Sequence, residues 1–537
     1  MRLKQLLALT LLAAMVVGCE SGDINLTPTN IDNSTTTGGG GGGSTNPCAS
    51  YTAGGATRQG TFDGTNCTYD ANFVSEATPL TVNLRIPFIS GVHIFQDSLI
   101  VGQNVTSGAA PAEGAGPTLV IDAGNTIAFS ASNRYVLINR GSKIMAEGTA
   151  IAPITFTGFT DAVSGTAGPY DVQLWGGIVI NGNGVTNNCT DGQRASNACH
   201  VQTEGRPSQY GGNVNTESSG VLRYVVVKHT GFELAPGDEL NGVTFNTVGS
   251  GTIVENLEVY STYDDGIEFF GGAVNITNFV ALYVRDDSID FSDGYSGTIR
   301  NALIIHAPQN SNNCIEGDGI ASGRISGGAA STPPISKPTI SHMTCITSNF
   351  DAGTHGQSRG PIIRFGARAI ITDSIIEAGR GTQEGNGTSN VCWELDNAST
   401  PDTINAAAAG ETTMNRTVIN CQTPTATDPV NADTQTQWIT NTGTGSYPFN
   451  TANAVITATF VEDPLVRVLT PGTYYSFDAD TVAGQVTING AAGAPIVLTP
   501  VPDNYIGAVQ NAATDWTANW TYGLAAANRG VAPWWEM

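Results

Sequence analysis

Asp264-Asp265-Gly266-Ile267-Glu268-Phe269 is followed 22 residues later by Asp286-Asp287-Ser288-Ile289-Asp290-Phe291. The pattern starts one period earlier as Leu240-Asn241-Gly242-Val243-Thr244-Phe245 and returns as Asn312-Asn313-Cys314-Ile315-Glu316, so the offsets are 24, 22 and 26. Each copy is a short alternating run behind turn-forming residues. Between the copies lies a second register: Thr252-Ile253-Val254-Glu255-Asn256, Val274-Asn275-Ile276-Thr277-Asn278 and Thr298-Ile299-Arg300-Asn301. Thr339-Ile340-Ser341-His342 and Ile370-Ile371-Thr372-Asp373 continue it. A repeat of this length holding two or three short strands predicts a solenoid, whose coils bury their inward residues only by stacking. Helical repeats are excluded by the period of two and the β-branched content. A propeller blade needs roughly 40 residues. The predicted fold is all-β, a parallel β-helix of about fifteen coils over residues 80–460. Ile363-Arg364-Phe365, with Arg364 48 residues after Glu316, is expected in the Glu316 slot two coils on. Ile121-Asp-Ala-Gly124-Asn-Thr-Ile127 and Ile138-Asn-Arg-Gly141-Ser-Lys-Ile144 form an earlier pair offset by 17.

Stacking turns this periodicity into candidate chemistry. The recurring Asn suits a left-handed bend and can bond to the Asn of the next coil. With Ile267 and Phe269 pointing inward, Glu268 points outward, and by the same alternation so do Thr244, Asp290, Glu316 and Arg364. Glu268, Asp290 and Glu316 are therefore expected to form a column, beside the turn acids Asp264, Asp265, Asp286, Asp287 and Asp293. Unit charges ~4.8 Å apart repel by about 0.9 kcal/mol in water and several times more at a sheltered surface. A bound Ca²⁺, which takes six to eight oxygens, relieves this; so does an upward pKa shift. Turn geometry alone accounts for Asp264 and Asp286, but not for three mid-strand acids.

Composition narrows the partners. Charged residues are 13%, and the net charge is −24. No Lys/Arg cluster exists to displace counterions, so nucleic acid is excluded. Divalent cations are the partners this charge invites.

The first 18 residues carry Arg2 and Lys4, then an apolar run from Leu6 to Val17, which reads as a signal peptide. Val16-Val17-Gly18-Cys19 resembles a bacterial lipobox, which implies a diacylglycerol on Cys19 and a lipid anchor. In such lipoproteins Glu20, rather than Asp, implies the outer membrane. Residues 19–47 then form a tether with six glycines from Gly38 to Gly43, spanning roughly 30 Å as a coil. Residues 48–79 are expected to cap the first coil, and residues 461–537, with Trp516, Trp520, Trp534 and Trp535, to cap the last one. Eight cysteines remain, an even number in an exported chain. Their spacing favours neighbours: Cys48 with Cys67, Cys189 with Cys199, Cys314 with Cys345, and Cys392 with Cys421. Each couple would pin a polar, Gly-rich insertion.

Residues 118–323 resemble a family of exported bacterial right-handed β-helix proteins of the pectin-lyase-like class. The segments that carry the resemblance are Tyr135–Ile144, Trp175–Ile180, Ser219–Tyr224, Asp264–Gly272 and Asp286–Asp290, with Tyr505–Ala508, Asp515, Trp516 and Trp520 near the end. The resemblance implies a right-handed coil. Lyase relatives imply Ca²⁺ on stacked carboxylates with an Arg or Lys base, for which Arg285, Arg300 and Arg364 are candidates. Hydrolase relatives imply an Asp cluster, which Asp264-Asp265 and Asp286-Asp287 resemble. Their Gly-His-Gly is missing; the nearest match, Thr354-His355-Gly356, is expected two to three coils away. His229 and His306 end strands at similar points and could pair on a metal. The reading that emerges is a surface-exposed outer-membrane lipoprotein with a binding or structural role: adhesion, glycan contact, or partnership with an outer-membrane receptor. The alternative is a polysaccharide lyase or glycoside hydrolase.

Overall fold

The structure, a computed structural model, describes residues 46–235, 238–320, 333–348, 355–378, 391–396, 402–421, 423–456, 505–510, 514–524 and 528–530, with two-residue strands at 477–478, 485–486 and 496–497. The signal peptide, Cys19, nearly all of the tether, Trp534 and Trp535 lie outside the described residues.

One coil shows the plan. Asn275–Leu282 runs along one face, the chain turns through residues 283–288, Ile289–Ser292 lines a second face, and another turn leads into Thr298–Ile305. Each of these strands pairs in parallel with its counterpart one coil on. Val254 stands opposite Ile276, Ile276 opposite Ile299, and Ile299 opposite Ile340. On the second face Val243, Ile267 and Ile289 align. The fold is thus a right-handed parallel β-helix with a long-strand sheet and a short-strand sheet.

The long strands bend at one recurring position. Tyr224, Asn256, Asn278, Asn301, His342, Asp373 and Arg416 all have φ between 49° and 62°. An L-residue there is strained by about 1–2 kcal/mol unless it is of the Asn type. The asparagines also pair as expected. Asn278 donates to Asn256 Oδ1 at 2.9 Å, and Asn301 donates to Asn278 Oδ1 at 2.8 Å.

Inward residues stack into one continuous apolar core. Tyr69, Phe95, Phe129 and Trp175 form a column with ring centroids 4.6, 5.8 and 4.7 Å apart. At the N-terminal end, an antiparallel hairpin of Ser50–Ala53 and Ala56–Gln59 leads to Cys67–Tyr69, which already pairs in parallel with Val92–Phe95.

Three details differ from the sequence reading. The short-strand sheet has nine strands among the described residues, fewer than fifteen, because insertions lengthen several coils. The 17-residue offset is not a coil: Ile121 lies in the long-strand sheet and Ile138 in the short-strand sheet. What repeats there is a turn, with Gly124 and Gly141 both left-handed at φ 80° and 79°. Finally, Asn313–Asp318 pairs directly with Arg359–Arg364, one coil on, in a register that sets Ile362 opposite Glu316 and Arg364 opposite Asp318.

The four disulfides join Cys48 to Cys67, Cys189 to Cys199, Cys314 to Cys345 and Cys392 to Cys421. Cys189–Cys199 pins the surface loop that carries the short helix Asp191–Ala195. The other three have their sulfurs inside the core, so they anchor their insertions from within. Near the C-terminus, residues 505–510 and 514–524 cover the outer face of the long-strand sheet. Ile506, Val509, Trp520 and Leu524 bury Val226, Tyr260, Val280, Leu282, Leu303 and Ile305.

Candidate functional site

The register produces the acidic column. Thr244 stands opposite Glu268, Glu268 opposite Asp290, and Asp290 opposite Glu316. Their neighbours Ile267, Phe269, Ile289, Phe291 and Ile315 belong to the core, so the acids point away from it. They are nevertheless screened from water. Glu268 is 7% exposed, Asp265 6% and Asp287 4%, while Asp264, Asp286, Asp290 and Glu316 are half-buried.

The turn acids stack beside the column through a ladder. Asp265 N–H donates to Asn241 Oδ1 (3.0 Å), Asp287 N–H to Asp265 Oδ1 (3.0 Å), and Asn313 N–H to Asp287 Oδ1 (2.9 Å). Four coils use the same rung: the outer two carry Asn and the inner two carry Asp. An amide oxygen accepts this bond as a carboxylate oxygen does, so the ladder does not require the two negative charges.

Those charges meet the column. Ligand oxygens of Asp265, Glu268 and Asp290 lie within 4.8 Å of one another. One coil on, the equivalent Asp287, Asp290 and Glu316 do the same, so Asp290 is common to both triads. Asp265, Asp286 and Asp287 form a third group, and Asp264, Asp286 and His355 a fourth. Asp290 Oδ1 is buried without a hydrogen-bond partner. Asp293 stands apart from these groups, at the other end of the strand that begins with Ile289. It is buried and accepts from the Asn188 amide.

Burial and mutual repulsion govern the electrostatics. Burial first, then neighbouring carboxylates, push Asp264, Asp265, Glu268, Asp287 and Asp290 well above the ordinary carboxylate range. Burial carries Glu316 up to about 8 and Asp318 to about 6, against the pull of Arg364, which forms ion pairs with both. Glu204, between the paired strands Val201–Gln202 and Gln209–Tyr210, and Glu239 add charge from insertions over the site.

Sequence reasoning missed Asp318, although it lies two residues beyond Glu316 and so on the same strand face. It set His355 two to three coils away and did not foresee its contact with Asp286. His355 Nδ1 lies 2.9 Å from Asp286 Oδ2, and its ring meets Tyr263 edge-on at 4.8 Å. The insertion after Asp318 makes a single coil nearly twice as long, so His355, in the turn before Arg359–Arg364, belongs two coils above Asp286 and still reaches it. Glu204 and Glu239 sit on insertions, where no period announces them.

The other candidates lie elsewhere or are tied up. Arg364 is held by Glu316 and Asp318. Arg300 lies in the long-strand sheet, opposite Ser341. His229 and His306 are three coils apart, each with its own partner, the Asp171 carbonyl and the Ser358 hydroxyl. Among the described residues no helix is long and apolar enough to cross a membrane.

Parallel strands stacked coil upon coil around one core define the parallel β-helix architecture. A family model, described as a pectate-lyase like beta helix domain, matches residues 106–455, and the chain belongs to that family. No curated protein and no solved structure matches it.

Proposed function

We propose that this protein is an exported, lipid-anchored β-helix whose acidic cleft holds divalent cations, Ca²⁺ foremost, and uses them to contact a glycan or a partner receptor at the cell surface. The observation that carries the reading is the pair of triads sharing Asp290. Two identical oxygen clusters follow one coil after the other, and their charge is not needed by the turn ladder. Ca²⁺ favours such oxygen sets, with carbonyls, waters or sugar hydroxyls completing six to eight ligands. Bound there, it offsets the repulsion, and its open positions face outward. Cys19 supplies the anchor and residues 20–47 the reach, with the outer membrane as the address.

A second reading, a lyase or hydrolase, draws support from His355 against Asp286 in a screened cleft. It is weaker on two counts. Arg364 is already committed to two carboxylates. The oxygens in each triad sit within 4.8 Å, closer than the roughly 6.5–9.5 Å that admits a water between carboxyl groups in inverting hydrolases.

Calorimetric titration of the mature protein with CaCl₂, paired with a glycan array in Ca²⁺ and in EDTA, tests the proposal. Saturable Ca²⁺ binding and glycan signals abolished by EDTA are expected. Absence of Ca²⁺ heat and of retained ⁴⁵Ca removes the cation site. New reducing ends or unsaturated products, lost in Asp287→Asn, would replace binding by catalysis.

A further inference from the structure

A separate cavity lies at the corner where the long-strand sheet turns toward the short-strand sheet. It has a volume of about 310 Å³ and is lined by Tyr170, Ser261, Tyr283, Arg285 and residues 307–310. That is the lower end of the range for small-molecule sites, about 300–1,000 Å³, and suits a ligand of one ring. Three successive coils build it: Ser261 comes from one, Tyr283 and Arg285 from the next, and Ala307 to Asn310 from the third.

The wall over it is fixed. The loop bearing Tyr170 is held by Ser261 Oγ donating to the Pro169 carbonyl (2.7 Å), by Arg285 Nη2 donating to the Tyr170 carbonyl (3.0 Å), and by the His229 ring on the Asp171 carbonyl (2.6 Å). Tyr170 and Tyr283 meet at 5.0 Å with an interplanar angle of 56°, presenting two aromatic surfaces.

Arg285 is the unusual member. The chain carries 46 acidic residues against 22 basic ones, and most of its described arginines are paired with carboxylates. Arg285 instead stacks over Tyr263 at 5.9 Å and spends one donor on a carbonyl. A guanidinium has five N–H donors in a fork that matches a carboxylate. Here it lines the cavity together with Gln309 and Asn310. A half-buried cation with aromatic walls and amide neighbours is a receptor for an anion carried on a ring.

We infer that this cavity is a binding site for a ring-borne carboxylate, with Arg285 gripping the carboxylate and Tyr170 and Tyr283 flanking the ring. An acidic sugar and an aromatic acid share that chemistry. The inference stands apart from the cation cleft, because nothing in this cavity uses the acidic triads.

The test is ligand-observed NMR and calorimetry on the mature protein in EDTA. The probes are N-acetylneuraminate, glucuronate, benzoate, and neutral glucose as control. At least one acid is expected to bind at millimolar concentration, and glucose is not. Arg285→Gln should weaken that binding tenfold or more, with Arg285→Lys between. Asn310→Gly, which tolerates the left-handed φ of 61° at that turn, supplies a variant that keeps the fold even if Arg285→Gln does not, and should weaken binding several-fold. Binding of sugar acids alone, or of benzoate alone, supports the site and fixes its ligand. No binding by any acid, equal binding of glucose, or undiminished binding in both Arg285→Gln and Asn310→Gly overturns the inference. Failure here with intact Ca²⁺ binding leaves the cation reading standing, and the converse holds equally.

Discussion

Asp290 belongs to both triads, so replacing it by Asn removes one charge from each while keeping its size. Its Oδ1 has no hydrogen-bond partner to lose. Without metal, Glu268 and Glu316 are its nearest neighbours in the column. At ~4.8 Å each charged pair costs about 0.9 kcal/mol in water and about 3.5 kcal/mol at an effective dielectric near 20. Proton uptake by these raised carboxyls blunts the repulsion, leaving a relief of about 1–3 kcal/mol. For the roughly 400 described residues, unfolding entropy makes 1 kcal/mol worth about 1 °C, so Asp290→Asn should melt about 1–3 °C above wild type in EDTA. In Ca²⁺ at a thousand times the dissociation constant, wild type gains about 4 kcal/mol. The variant should lose most of that gain, and the order of melting should invert. Differential scanning calorimetry of both proteins in both buffers gives four numbers. Asp290→Asn lying below wild type in EDTA, or rising as far as wild type in Ca²⁺, refutes the reasoning.

The same carboxyls set a pH dependence. Their folded pKa values lie above the unfolded ones, so the stability they contribute is complete below the ordinary carboxylate range and is lost as pH rises through about 6 for Asp318 and about 8 for Glu316. The melting temperature in EDTA should therefore fall across that interval and flatten in saturating Ca²⁺; parallel curves in the two buffers would contradict the coupling. Asn278→Ala breaks two ladder bonds and strains a φ of 62°, costing about 2–4 kcal/mol by urea denaturation. Asn278→Gly loses only the bonds, about 1–2 kcal/mol, and an equal loss in both would dismiss the bend as a source of strain. Trp520→Ala should destabilise by about 3–5 kcal/mol and raise dye binding at the uncovered face, with the Ca²⁺-induced shift unchanged because the site lies on the other sheet.

Periodicity carried the fold and most of the site. Ile267, Ile289 and Ile315 recur with their acidic neighbours at one-coil spacing, and parallel stacking then leaves Glu268, Asp290 and Glu316 no other arrangement. The Asn256–Asn278–Asn301 ladder was legible for the same reason. Reading failed where insertions interrupt the period. A spacing of 48 residues looks like two coils, but between Glu316 and Arg364 it is one swollen coil, and spacing could not show that the turn bearing His355, two coils above Asp286, reaches it. Burial was the other blind spot. Alternation says which way Glu268 points, but not that it is screened from water or that Glu204, on an insertion, stands near enough to repel it. Arg285 reads as a candidate base until the loop at Tyr170 is folded onto it.

Solenoids held only by adjacent rungs tend to fray from their ends. Here residues 505–524 act as a splint. Tyr522 N–H reaches Glu258, 264 residues away in sequence, Tyr505 reaches Asn301, 204 away, and Ala508 reaches Thr344, 164 away. Peeling any one of those rungs requires lifting a ribbon fastened to the others, so the middle of the molecule should come apart as one block, and the ends, beyond the ribbon's grip, should open first.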